Sequence, residues 1–160
     1  VADSGKGFLS EVEIEDLRLI SASMDVTIDA PEPGMQAQVA VTVSVNDART
    51  SRNDEIGRHR IEMAFALSAI MSDASPEAVE RMRASATMWV VATCATNGRD
   101  DDEAGKLLFR EAAAVGYSNA GAQILQLTRM SPMGGYVVPP IDPEALMEVV
   151  KVSEDGARSI

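Results

Sequence analysis

The stretch Ile20-Ser21-Ala22-Ser23-Met24-Asp25-Val26-Thr27-Ile28-Asp29 decides how the chain folds. Ile20, Ala22, Met24, Val26 and Ile28 take every second position, with Ser21, Ser23, Asp25, Thr27 and Asp29 between them. A period of two belongs to a β-strand with one buried and one wet face. The strand is expected from about Leu17. Its wet face turns acidic, so Asp25, Thr27 and Asp29 are predicted to share one side of the sheet. Pro31, Pro33 and Gly34 then stop it.

Outward from there, Val39, Val41, Val43 and Val45 mark a second strand over 36–45. Residues 46–57 are polar with no apolar period and predict a long loop. Ile61, Met63, Phe65, Leu67 and Ala69 alternate through a third strand over 58–71. Ser75-Pro76-Glu77-Ala78 has the form of a helix start, with Ser75 as N-cap and Pro76 in the first turn. A fourth strand over 82–96 centres on Met88-Trp89-Val90-Val91 and is apolar on both faces, which predicts cover on both sides.

Asn97-Gly98 breaks that strand, and Asp100-Asp101-Asp102-Glu103 opens a helix whose N-terminus favours negative charge. Gly116 is expected to interrupt it. A second helical stretch over 117–130 carries Ala120, Ile124 and Leu127 on one face. Residues 136–141 read as extended, and Asp142 caps a final short helix. Strands first and helices afterwards predict an α+β fold, a four-stranded antiparallel sheet followed by C-terminal helices packed on one face. One domain over 11–150 is expected between flexible tails at 1–10 and 151–160.

The 160 residues are 46% apolar and 24% charged, a globular balance with only 4% aromatics. The core must therefore come from Ala, Val, Leu, Ile and Met. The formal net charge of -11 disfavours nucleic acid and anionic lipid as partners. One Cys and one His leave no disulfide framework and no Cys/His zinc site. His59 lies between Arg58 and Arg60, so a solvated side chain is expected. Cys94 falls in an apolar strand, where an inert thiol is expected. The acidic run at 100–103 lacks the Gly and distal Glu of a calcium loop. No pair of carboxylates stands out as an acid/base dyad, so an enzyme is not predicted, and neither is a cofactor. The polar N-terminal stretch has no apolar core of a secretory signal, and no apolar run reaches the length of a membrane span. A cytoplasmic protein is expected.

Met24-Asp25-Val26-Thr27-Ile28-Asp29-Ala30-Pro31 resembles the first-strand signature of SecB, the bacterial protein-export chaperone family. That signature runs acid, aliphatic, Ser or Thr, aliphatic or aromatic, Glu or Asn, Ala, Pro. The helix with Ala120, Ile124 and Leu127, then Gly135-Tyr136 and Pro140-Ile141-Asp142 with Glu144-Ala145-Leu146, is similar to the family's C-terminal half. The resemblance spans roughly 11–147. Asn119-Ala120-Gly121-Ala122 stands where the family usually has Tyr-Ala-Arg-Glu, and 46–57 and 72–81 look longer than the family's hairpins. Those departures point to a divergent member, of the kind associated with toxin–antitoxin systems or phages.

The resemblance implies an ATP-independent chaperone, a holdase for unfolded or export-bound polypeptides, assembled as a homotetramer that is a dimer of dimers. It implies an apolar client groove between sheet and helix, for which Met88, Trp89, Ile124 and Leu127 are the candidates. It places Asp25, Thr27 and Asp29 on an acidic strand face that contacts a partner, either the SecA motor or an antitoxin. The alternative is a dedicated adaptor with the same fold, such as an antitoxin chaperone or a phage-encoded assembly protein. Without the resemblance, the acidic stripe is simply the wet side of a strand, and methionines such as Met88 are core.

Overall fold

Alternation on the third and fourth predicted strands puts two apolar rows side by side. Phe65 pairs with Met88, Leu67 with Ala86, Met63 with Val90 and Ile61 with Ala92. The computed structural model describes residues 11–27, 36–74, 76–77 and 79–157. Within them the strands are β1 (Val12–Val26), β2 (Ala37–Asn53), β3 (Arg58–Asp73) and β4 (Glu80–Ala95), and the helices are α1 (Asp101–Thr128) and α2 (Pro143–Ala157). The sheet order is β1-β4-β3-β2 and every pairing is antiparallel. The predicted α+β arrangement, a four-stranded antiparallel sheet with C-terminal helices on one face, is the one observed.

The apolar rows of β3 and β4 meet Ala104, Leu108, Ala112, Ala113, Ala120 and Ile124 of α1 in one core. Apart from Ala113 beside Ala112, these helix positions recur at intervals of four and seven, so they line the side of α1 that faces the sheet. Leu146 and Val150 bring α2 into the same core. Asp100 caps α1 by accepting from the Glu103 amide at 2.8 Å, and Asp142 accepts from the Glu144 amide at 2.9 Å at the start of α2. Gly98, at φ +74, supplies the left-handed turn between β4 and α1.

Several expectations are corrected. The loop at 46–57 is mostly strand: β2 runs on to Asn53, leaving only four turn residues before β3. A bulge between Asn46 and Arg49, with Asp47 at φ 53, shifts the register, after which Arg49–Asn53 pair with Glu62–Arg58. This extension is an exposed edge, so it needs no apolar period and its sequence shows none. β1 likewise begins at Val12, and register shifts after Ile14 and Leu19 hide the alternation of its first half. At 75–78 the described residues Pro76 and Glu77 form a turn, and Glu80 already belongs to β4. Ser75 and Ala78 lie outside the described residues. The hairpin is closed by the Asp73 amide donating to the Val79 carbonyl and by Arg81 clasping the Asp73 carboxylate at 2.8 and 3.0 Å.

Gly116 does not interrupt α1, which is continuous for 28 residues. Its missing side chain lets the helix cross β3 directly over Phe65. His59 is buried, not solvated. Its alternate position turns it toward the start of α1, while Arg58 and Arg60 turn to the opposite face. Cys94 is buried, as expected. On the face away from the helices, Val91 and Thr93 are buried and Trp89 is half-buried. No helix lies over them among the described residues. β4 is central, so its neighbours' side chains supply much of that cover, and Arg58 donates to Thr93 Oγ1 at 3.0 Å.

Candidate functional site

The period of four along α1 produces a second row. Tyr117, Gly121 and Leu125 sit beside the core-facing row, and segment 136–141 lies against them. An apolar cleft of about 420 Å³ opens there, with Val137, Val138 and Ile141 as its other wall. The segment is tied at both ends. The Tyr136 amide donates to Thr128 Oγ1 at 2.8 Å, and the Tyr117 hydroxyl donates to the Pro139 carbonyl at 2.7 Å. Thr128 is itself anchored, donating to the Ile124 carbonyl at 2.8 Å. Burial raises the Tyr117 and Tyr136 phenols above the ordinary tyrosine value, with the Tyr136 charge adding to the shift at Tyr117. Tyr117 therefore stays a protonated donor at neutral pH. At Gly121 the segment packs closely on α1, since a Cβ there would stand 3.4 Å from Val138 Cβ. Val137, at the rim, is 66% exposed.

The four groove candidates are not brought together. Met88 and Ile124 are buried in the core between sheet and helix. Trp89, next to Met88 on a strand, points to the opposite face of the sheet and is half-buried there. Leu127 is half-buried near the end of α1. The cleft residues Tyr117, Gly121 and Leu125 were not singled out. Their spacing of four is the signal the sequence carries for this second row, beside the predicted apolar face of Ala120, Ile124 and Leu127.

Asp25 and Thr27 do point to one side, the sheet face away from the helices, whereas Asp29 lies outside the described residues. Asp25 pairs in register with Arg83, whose guanidinium is held by Glu80 at 2.8 and 3.0 Å. Further along the same face, Arg58 meets Glu13 at 2.6 Å, Arg60 meets Glu62 at 3.0 Å and Arg18 meets Asp16 at 2.8 Å. The face is mixed in charge, not uniformly acidic. These pairs are solvent-exposed, so each contributes little to stability.

A smaller cavity of about 110 Å³ lies where the far end of β2 meets α1, lined in part by Arg52, His59 and Asp101. His59 Nδ1 is 3.7 Å from Asp101 Oδ1, and Nε2 is buried without a partner among the described residues. The cavity has room for water beside this imidazole. Among the described residues, no three His, Cys, Asp or Glu side chains gather as a metal site. No helix among them is long and apolar enough to cross a membrane.

The chain matches no family model and no curated protein by sequence. Solved structures do match it. The Mycobacterium tuberculosis Rv1957 SecB-like chaperone, in complex with a ChAD peptide from the HigA1 antitoxin, is similar with a TM-score of 0.55 at 13% identity, over 82% of this chain and 91% of that one. A protein of unknown function from Streptococcus agalactiae aligns with a TM-score of 0.47 at 11% identity, over 80% of this chain and 96% of that one. At such identities the first likeness speaks to architecture alone: the chain has a SecB-like fold.

Proposed function

We propose that this protein binds unstructured polypeptide segments without nucleotide, as a chaperone or a partner-dedicated adaptor. The observation that carries the reading is the apolar cleft between α1 and segment 136–141, on a fold shared with a chaperone solved holding an antitoxin peptide. A cleft walled by Tyr117, Leu125, Val138 and Ile141 can take apolar side chains from an extended chain. Binding that buries them would be driven by the hydrophobic effect and would tolerate varied sequences. The net charge of -11 suits clients that are basic or neutral.

Within this reading the adaptor form is favoured over a motor-coupled export chaperone. Its support is the mixed charge around Asp25, where Arg83 and Glu80 replace a uniformly acidic stripe. Asp25 and Thr27 remain part of the proposal as a contact for a partner on the open sheet face. A SecA contact there would have to accommodate Arg83. The cytoplasmic setting and the homotetramer, a dimer of dimers, are likewise part of the proposal, as are Trp89 and Leu127 as outlying client contacts.

The test is suppression of aggregation. Reduced lactalbumin is allowed to aggregate with increasing amounts of this protein and no ATP. Suppression at near-stoichiometric ratios is expected, and it should be weakened at least tenfold by Leu125→Asp, which puts a charge in the cleft. Absence of suppression, together with no binding to unfolded chains, would remove the chaperone reading.

A further inference from the structure

β4 hands over to α1 through Thr96-Asn97-Gly98-Arg99. Asn97 at φ 36 and Gly98 at φ 74 are both left-handed, and the Arg99 amide donates to the Thr96 carbonyl at 2.6 Å. Two positive φ values inside such a bond make a type I′ turn, for which Asn-Gly is a preferred pair. The turn is anchored on both sides. The Thr96 amide donates to the Gly57 carbonyl at 2.9 Å, and Arg99 pairs with Glu11. Its two central residues are not anchored. Asn97 and Gly98 are exposed, and among the described residues neither the Asn97 carboxamide nor the Gly98 amide has a hydrogen-bond partner. A Cβ at Gly98 would meet nothing within 4 Å. The other asparagines differ. Asn53 accepts from the Glu55 and Ile56 amides, and Asn119 donates to the Val115 carbonyl inside α1. Asn46 and Asn53 precede Asp and Asn119 precedes Ala, so only Asn97 is followed by a residue without a side chain.

We propose that Asn97 is a modification site, where the chain converts its own carboxamide to isoaspartate and aspartate. The Gly98 nitrogen attacks Asn97 Cγ. The N–Cγ bond forms, the Cγ–Nδ2 bond breaks, and Nδ2 leaves as ammonia with the Gly98 amide proton. Water then opens the five-membered imide at either carbonyl. Opening at Cγ gives aspartate, and opening at the Asn97 main-chain carbonyl routes the backbone through Cβ as isoaspartate. Water is the only co-reactant. Gly98 favours the attack because no Cβ obstructs its nitrogen. The bond from Arg99 to Thr96 opposes the backbone rotation that ring closure needs, so the folded chain reacts more slowly than the unfolded one. Each event adds one negative charge to a formal net of -11, beside the acidic run at 100–103. Isoaspartate also adds a methylene to the backbone inside the turn, so the Arg99–Thr96 bond is lost and the start of α1 loosens from the sheet. This inference is independent of the polypeptide-binding reading.

Ageing of the full chain in mildly alkaline buffer tests this. Conversion is followed by mass spectrometry of the peptide covering 84–99 after brief digestion. Isoaspartate in that peptide is counted with a protein-isoaspartate methyltransferase and labelled S-adenosylmethionine. Asn97 is expected to convert at least tenfold faster than Asn46, Asn53 or Asn119, since only Gly98 leaves the attacking nitrogen unobstructed. It should convert several-fold more slowly than in the same chain unfolded in urea. Asn97→Gly removes the carboxamide and suits a positive φ, so it should fold as the natural chain does and gain no methyl label within 84–99. The aged natural chain should unfold at a lower urea concentration than the fresh one, and aged Asn97→Gly at an unchanged one. An Asn97 that converts no faster than the other three asparagines, over a period in which it does convert in urea, overturns the site. Conversion that leaves the unfolding midpoint where it was overturns the loosening of α1 while the site stands.

Discussion

A Cβ on Gly116 would fall 2.7 Å from Phe65 Cγ. The long helix thus touches the sheet through a residue with no side chain, above the largest fully buried side chain of the core. Gly116→Ala would gain about 1 kcal/mol in helix propensity but lose about 1–3 kcal/mol to overpacking, because Phe65 is enclosed and cannot yield. A net loss of stability is expected in urea unfolding. Gly116→Ala combined with Phe65→Leu should not recover it, since the Cβ and Cγ of residue 65 that the new methyl would meet are kept in leucine.

Asp73 and Arg81 form the least exposed ion pair in the molecule's described part, at 9% and 20% side-chain exposure. Arg81 donates from both Nε and Nη2. Removing one partner leaves a mostly buried charge, so Arg81→Ala or Asp73→Ala should each cost about 2–3 kcal/mol, somewhat below the range for fully buried pairs. The double variant is expected to cost less than the sum of the two, which a double-mutant cycle in urea would read directly.

Burial pushes the Cys94 thiol above its ordinary value, and the nearby Arg99 and Arg58 only partly offset this. The thiolate is the reactive form, so native Cys94 should resist a disulfide reagent at pH 8 and react promptly once unfolded. Its raised value also has a consequence for stability. The folded state favours the neutral thiol, as it favours the neutral phenols of Tyr117 and Tyr136. Their shared contribution is fully present below the unfolded values and is lost as pH rises through the folded ones. Stability should hold between about pH 7 and 8 and fall above about pH 9, where thiols and then phenols begin to ionise.

Much of this fold was legible because apolar alternation on β3 and β4 is uninterrupted, and because Asp100 and Asp142 are strong helix caps. The parts that were not legible share a physical cause. The outer half of β2 is an edge strand beyond a bulge, so its residues are polar without being a loop. Gly116 reads as a break in one dimension and is a contact in three. His59 sits between two arginines in sequence, yet strand alternation turns it inward while they turn outward. The cleft was missed because its walls come from α1 and from a segment with no periodicity. Only the spacing of Tyr117, Gly121 and Leu125 hinted at a second helical row. Met88 and Trp89 were grouped although adjacent strand residues cannot face the same groove.

Direct binding of an unfolded chain tests the central claim most simply. Native mass spectrometry of the full chain would be recorded with and without reduced, carboxymethylated lactalbumin, for the natural sequence and for Leu125→Asp. The account predicts a complex that gains the mass of the unfolded protein and is lost or much reduced in the variant. An assembly of any size that leaves the unfolded chain unbound, or one that binds it equally well with Asp at 125, would contradict it.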